Sequence, residues 1–349
     1  MKPALSSLVA KADRSVLVKR CESLVASRQW ASWDIWSPEP YYFERNQYGR
    51  GKKLARQPAP TKDAKLYGYD AAGRVVRLRS WSGFLERWHE DELFVWSDRE
   101  LLAYRFQERD RLLNVHRYTF DGEARLVRHE IYFAEAKRTG EQRFVWTDGV
   151  LSRVAVKNWG HSWSLEHDEL GRLTAIATVS NGRAFEIYRR PPANESLPAL
   201  LDAIRERLRE IAPRVVSKVR PSSPLYALAL VVDEEEWRYA LPPSLAFGFE
   251  SPRTSREWDA AELFEPTTGW NDRRLAALCK RANQRVWQTG AHARVRALVR
   301  ALARDLQQVD WPKLRAVTDD VVVYATSLEG GGAADARRAR RGRRPASRR

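Results

Sequence analysis

The chain has 349 residues, 43% hydrophobic and 30% charged, which suits a soluble globular protein with two ordinary cores. Its net charge is +16, and arginine supplies 49 of the 61 basic residues, so a polyanion such as nucleic acid is one partner the composition invites. No apolar run reaches the ~18 residues of a membrane span, the charged opening MKPALSSLVAKADRSVLVKRCESL has no secretory apolar core, and Cys21 and Cys279 alone cannot make a disulfide framework. A cytoplasmic, reducing compartment is the expectation.

Residues 1–60 read as a helical lead and a basic loop. Val16, Leu17, Leu24 and Val25 stand near helical spacing around Cys21. Trp30, Trp33 and Trp36 follow three residues apart, as at a helix end that packs onto a sheet and is stopped by Ser37-Pro38. GRGKKLARQPAP, at 49–60, reads as an exposed loop.

Residues 61–192 read as antiparallel hairpins. Aspartates 70, 98, 121, 148 and 168 stand 28, 23, 27 and 20 residues apart, each between strand-like runs. In YGYDAAGRVVRLRSW the aromatics suit a pleated surface, Asp70 suits an Asx-turn, and Gly73 can take positive φ. Val76 and Leu78 then alternate with Arg77 and Arg79. SNGR, at 180–183, is a further turn signal. Tyr69-Asp70-x-x-Gly73-Arg74-Val75 and His167-Asp168-x-x-Gly171-Arg172-Leu173 resemble the tyrosine-aspartate (YD) repeat of bacterial Rhs proteins over about residues 65–190. The units at Asp98, Asp121 and Asp148 lack the Gly-Arg at that offset. The resemblance implies a twisted antiparallel sheet; five units are too few for the toxin-enclosing shell of large Rhs proteins.

Composition shifts at RRPPANES, and residues 193–329 read as an α-β-β-α-α-β domain, making the whole chain α+β. A helix begins near an N-cap at Ser196 and stops near Pro213. PLYALALVVD and SLAFGFES read as neighbouring strands. Two helices divided by Gly290 and a last strand at 319–330 complete the domain, with Cys279 structural. YALALVVDEEE, REWDAAELFEP, the helix pair and the last strand are similar to small bacterial domains of polymorphic-toxin immunity neighbourhoods. That resemblance implies a protein that neutralises a partner. Residues 330–349 read as a disordered Arg-rich tail; its last 17 residues carry about +7.

Chemistry is sparsely signalled. There is no phosphate-binding glycine loop, no C-x-x-C and no nucleophile elbow, so no cofactor and no metal is expected. His161 and His167 would share a face of an unbroken strand, as a metal or acid-base pair requires, with Glu166 on the opposite face. The acids of DEEEW, at 233–237, suit a solvated turn or a cation. Asp259, Glu262 and Glu265 form an acidic face at helical spacing that, with Trp258, suits a basic partner. Arg337, Arg338, Arg340, Arg341, Arg343 and Arg344 suit phosphates bound by counterion release. The leading reading is a non-enzymatic bacterial protein-binding protein, an immunity or accessory component of a polymorphic-toxin or related conflict system. The alternative is a nucleic-acid-binding protein using the tail and sheet arginines such as Arg74, Arg77 and Arg79; an enzyme with an unrecognised site is a third class.

Overall fold

The structure is a computed structural model. It describes residues 4–157, 161–180, 182–218, 224–233, 240–248, 270–311 and 317–327. The chain divides after Arg190 into two compact units. The architecture is mixed α and β, with a large antiparallel sheet in the first unit and a small sheet in the second.

The first unit opens with two short helices, α1 (Leu5–Ala10) and α2 (Arg14–Glu22). Asp13 caps α2 by accepting from the Ser15 and Val16 amides. The helix ends at Glu22, so Leu24 and Val25 do not continue it as their spacing suggests. Instead the Ala26 amide donates to the Tyr69 carbonyl, and Ser27–Ala31 becomes strand β1. Edge pairing with another strand has overridden the helical pattern. Trp30 therefore lies in a strand, stacked on Trp88; Trp36 packs edge-on to Phe94, and Trp33 is half exposed. The loop at 49–60 contains a two-residue strand, β2 (Lys53–Leu54).

Eleven strands then run up and down: β3 (Ala64–Tyr69), β4 (Val75–Ser82), β5 (Arg87–Trp96), β6 (Glu100–Gln107), β7 (Arg111–Phe120), β8 (Leu126–Phe133), β9 (Arg138–Thr147), β10 (Val150–Val156), β11 (His161–His167), β12 (Leu173–Ser180) and β13 (Arg183–Arg189). Each pairs antiparallel with the next, and β1 and β2 continue the sheet beyond β3. Sequence neighbours are thus spatial neighbours, the simplest route to a large sheet.

Three turns of this meander are built alike. Asp70 Oδ1 accepts from the amides of Ala72 and Arg74, and its Oδ2 accepts from Arg74 Nε. Asp168 does the same with Leu170 and Arg172. So does Asp121 with Glu123 and Arg125, although its sequence lacks the glycine. Gly73 (φ 77°), Gly171 (φ 69°) and Ala124 (φ 58°) hold the one left-handed position. Asp121 is therefore a full member of the series, with alanine at that position. Two of these turns also share a lid. Trp96 Nε1 donates to the Val75 carbonyl under the Arg74 guanidinium, and Trp146 Nε1 donates to the Leu126 carbonyl under that of Arg125. The repeating unit is four strands and about fifty residues: Asp70 and Asp121 are 51 apart, FVWSD and FVWTD 50 apart.

The two faces of the meander are covered by different parts of residues 4–60. Helices α1 and α2 lie on one face, where Leu5 and Cys21 join Leu93, Tyr104, Phe106 and Val115 in an apolar cluster. The chain then passes along β1 to the other face. There residues 32–48, which include helix α3 (Tyr42–Asn46), run as a strap. The Ile35 amide donates to the Tyr67 hydroxyl on β3, and Gln47 Nε2 donates to the Ile187 carbonyl on β13. In a flat sheet β3 and β13 would lie about 48 Å apart, ten strand spacings. Twelve extended residues reach about 40 Å at most, and the turn of helix shortens them further. The sheet is therefore curled towards the strap.

In the second unit, α4 (Leu197–Lys218) runs through Pro213 rather than stopping near it. Proline forfeits one helical hydrogen bond, but Ile211, Ala212 and Val216 are buried, so the apolar face carries the helix on. Ser196 Oγ accepts from the Ala199 amide at its start. Strand β14 (Leu225–Val232) is buried throughout, between antiparallel β15 (Ser244–Gly248) and parallel β16 (Val317–Ser327). Helices α5 (Arg273–Thr289) and α6 (His292–Gln307) meet at Gly290 (φ 64°) and share the core with α4.

Candidate functional site

Strand β5 shows how the interior under the strap is made. Along it, Leu93 faces the helix-side apolar cluster, while Glu90 and Glu92 line a cavity on the strap side. The strap closes over the latter and buries a chain of polar groups. Glu39 and Arg45, both buried, form an ion pair, and His129 Nδ1 lies 3.1 Å from the other Glu39 oxygen. His129 Nε2 lies 2.8 Å from His116 Nδ1, and His116 Nε2 lies 2.8 Å from Asn114 Oδ1. Arg45 also stacks over Phe144 and Trp163, 5.4 and 5.0 Å from their ring centres. Burial alone would raise the Glu39 carboxyl, but His129 and Arg45 outweigh it and hold it at about 2. Burial and the neighbouring His129 depress His116 to about 3, so its ring is neutral near pH 7. Asn114 Oδ1 can only accept, so neutral His116 donates from Nε2 and accepts at Nδ1.

Beside this chain is a cavity of about 170 Å³, lined in part by Trp36, Tyr42, Phe94, Tyr118, Asp34 and Glu92. A second cavity, of about 320 Å³, adjoins it through Asp34, Lys65, Ser80, Glu90 and Arg105 and is bordered by Trp33 and Trp81. Most charges here are matched. Arg105 Nη2 reaches both Glu90 oxygens at 2.7 Å, and Lys65 Nζ lies 3.2 Å from Asp34. Among the described residues, Glu92 has no such partner. Burial pushes its carboxyl up to about 7; Arg105 and Lys65 oppose the rise, and Asp34 and Glu90 add to it.

The sheet has two edges. β2 is two residues long, a protected edge. β13 is seven residues long and, among the described residues, pairs on one side only. Phe185, on β13, is 56% exposed, and Leu170, in the turn that Arg190 reaches through Asp168, is 75% exposed.

Residues expected to act are placed as follows. Trp258, Asp259, Glu262 and Glu265 lie outside the described residues, as do Arg337, Arg338, Arg340, Arg341, Arg343 and Arg344 and the glutamates of DEEEW. The sheet arginines are not a free basic face. Arg74 is bonded to Asp70, Arg77 to Asp91 and Glu22, and Arg79 lies 3.9 Å above the Trp88 ring. His161 and His167 share β11 but stand six residues, about 20 Å, apart. His167 meets Tyr41 of the strap, and His161 meets Trp163 edge-on. Burial raises the thiols of Cys21 and Cys279 to about 11 and 12, which makes both poor nucleophiles near pH 7. Among the described residues, no group of three or more His, Cys, Asp or Glu is arranged for a metal, and no helix is long and apolar enough to cross a membrane.

Glu39, Arg45, Glu92, His116 and His129 were not singled out by sequence reasoning. The one available signal was Glu90-Asp91-Glu92, three acids in mid-strand, which requires polar partners on both faces of the sheet.

No family model matches the chain, and no curated protein matches it. A solved structure, a porin-like protein from Bacteroides uniformis ATCC 8492, is similar at 15% identity with a TM-score of 0.28. The similarity covers 38% of this chain, which spans 55% of the length of that protein. A likeness at that level says nothing of role.

Proposed function

We propose that the chain is a non-enzymatic protein-binding protein of a bacterial polymorphic-toxin or related conflict system, acting as an immunity or accessory component. The observation that carries binding is the outer edge of β13. A strand that pairs on one side only among the described residues, and that carries a large exposed apolar side chain, invites a partner's extended segment as a further antiparallel strand. Phe185 would anchor that segment. The immunity role rests on the sequence resemblances. Nucleic-acid binding through the sheet is disfavoured, because Arg74 and Arg77 are bonded to carboxylates and Arg79 is stacked on Trp88.

The test is affinity purification of the full chain from the native cell extract, with nuclease, at low and high salt, beside Phe185→Asp. One protein retained by the wild type at both salts and lost by the variant supports the reading. Nuclease-sensitive or salt-sensitive capture, or equal capture by Phe185→Asp, overturns it.

A further inference from the structure

The cavity under the strap has a chemistry that the partner-binding role does not use. Trp36, Tyr42, Phe94 and Tyr118 contribute aromatic walls, and Glu92 contributes a half-buried carboxylate without an ion-pair partner among the described residues. Aromatic faces attract cations through their quadrupoles, and a carboxylate with free acceptor sites completes an ammonium site. An anion is disfavoured, because Asp34, Glu39 and Glu90 also line the cavity. The cations present are already committed: Lys65 to Asp34, Arg105 to Glu90 and Arg45 to Glu39.

We propose that this cavity binds a small organic ammonium ion, with its charged head against Glu92 and its alkyl part among Trp36, Tyr42, Phe94 and Tyr118. At about 170 Å³ it holds a small amine, and the adjoining cavity past Asp34 and Lys65 gives the route of entry.

Binding carries a pH signature. The titratable groups around Glu92 are Asp34, Glu39 and Tyr42 from the strap, Lys65 from β3, Glu90 from β5, Arg105 from β6 and His116 and Tyr118 from β7; both phenols are raised further by burial and stay neutral. Of these, Glu39 is held at about 2 and His116 at about 3, so neither changes charge between pH 6 and 8. Glu92, at about 7, does change. An ammonium ligand requires the ionised carboxylate, so affinity should rise up to tenfold from pH 6 to pH 8.

The test is calorimetric titration of the full chain with n-butylammonium chloride at pH 6 and pH 8, with 1-butanol and sodium butyrate as neutral and anionic counterparts. The expected result is one-site binding of butylammonium alone, several-fold tighter at pH 8. Glu92→Gln should lose at least tenfold and Trp36→Leu several-fold, with far-ultraviolet dichroism unchanged. If Glu92→Gln fails to fold, the pH dependence and Trp36→Leu decide. Failure of the wild type to bind 10 mM butylammonium, equal binding of 1-butanol, or affinity independent of pH overturns the proposal. These results leave capture at β13 untouched, so the two readings fail separately.

Discussion

The meander and the strap are made by opposite rules. The meander repeats: three aspartate turns make the same three bonds, and two tryptophan lids recur fifty residues apart. Each turn is local, so a few residues determine it. The strap does not repeat. Its seventeen residues touch strands from β3 to β13, and each contact joins residues far apart in the chain. The repeat makes a sheet of any length; the strap curls this one and gives it a polar interior. That teaches where to look for a specific role: in the segment that breaks the pattern, and at the edge where the pattern stops.

The strongest way to break the contrast is Arg45→Ala. It leaves the buried Glu39 carboxylate with His129 alone and should cost about 3–5 kcal/mol in urea unfolding. Replacing both, as Glu39→Leu with Arg45→Met, should cost much less; equal losses would mean that the pair does not hold the strap.

Glu92→Gln comes next. A carboxyl raised to about 7 in the folded state contributes stability below its unfolded value near 4.5, and that contribution is lost as pH rises through 7. The variant should therefore gain on the order of 2 kcal/mol over wild type at pH 8.5 and little at pH 5. Melting curves across pH check this, and a gain independent of pH would contradict the assignment.

The turns give smaller effects. Asp70→Ala should cost about 1–2 kcal/mol, having lost two amide bonds and an arginine, and Asp121→Ala, which loses the same set, should also destabilise. Asp98 makes none of these bonds among the described residues, so Asp98→Ala should cost less than half as much as Asp70→Ala. Equal costs at all three would erase the distinction drawn among the turns. Smallest of all, Ala124→Gly should stabilise by about 0.5 kcal/mol, since Ala124 holds φ 58°.

This contrast also explains what was legible. Hairpins centred on Asp70 and Asp168, a mixed α and β chain, and a buried strand at 225–232 could all be read, because turn chemistry and hydrophobic runs act locally. Asp121 is harder to read because alanine stands at the glycine position, whereas the aspartate and the arginine four residues on make the bonds. The fate of Leu24 and Val25 was illegible, because β1 exists only by pairing with β3. Glu39, Arg45 and His129 have no local pattern at all; only the curl of the sheet brings residues 39 and 129 together.

The most direct measurement of the central claim is hydrogen exchange of the full chain, alone and with the protein it captures. Capture as an added strand predicts that amides of residues 183–189 gain protection while those of β5 to β8 do not change. Protection confined to other strands, with β13 exchanging as before, would contradict it.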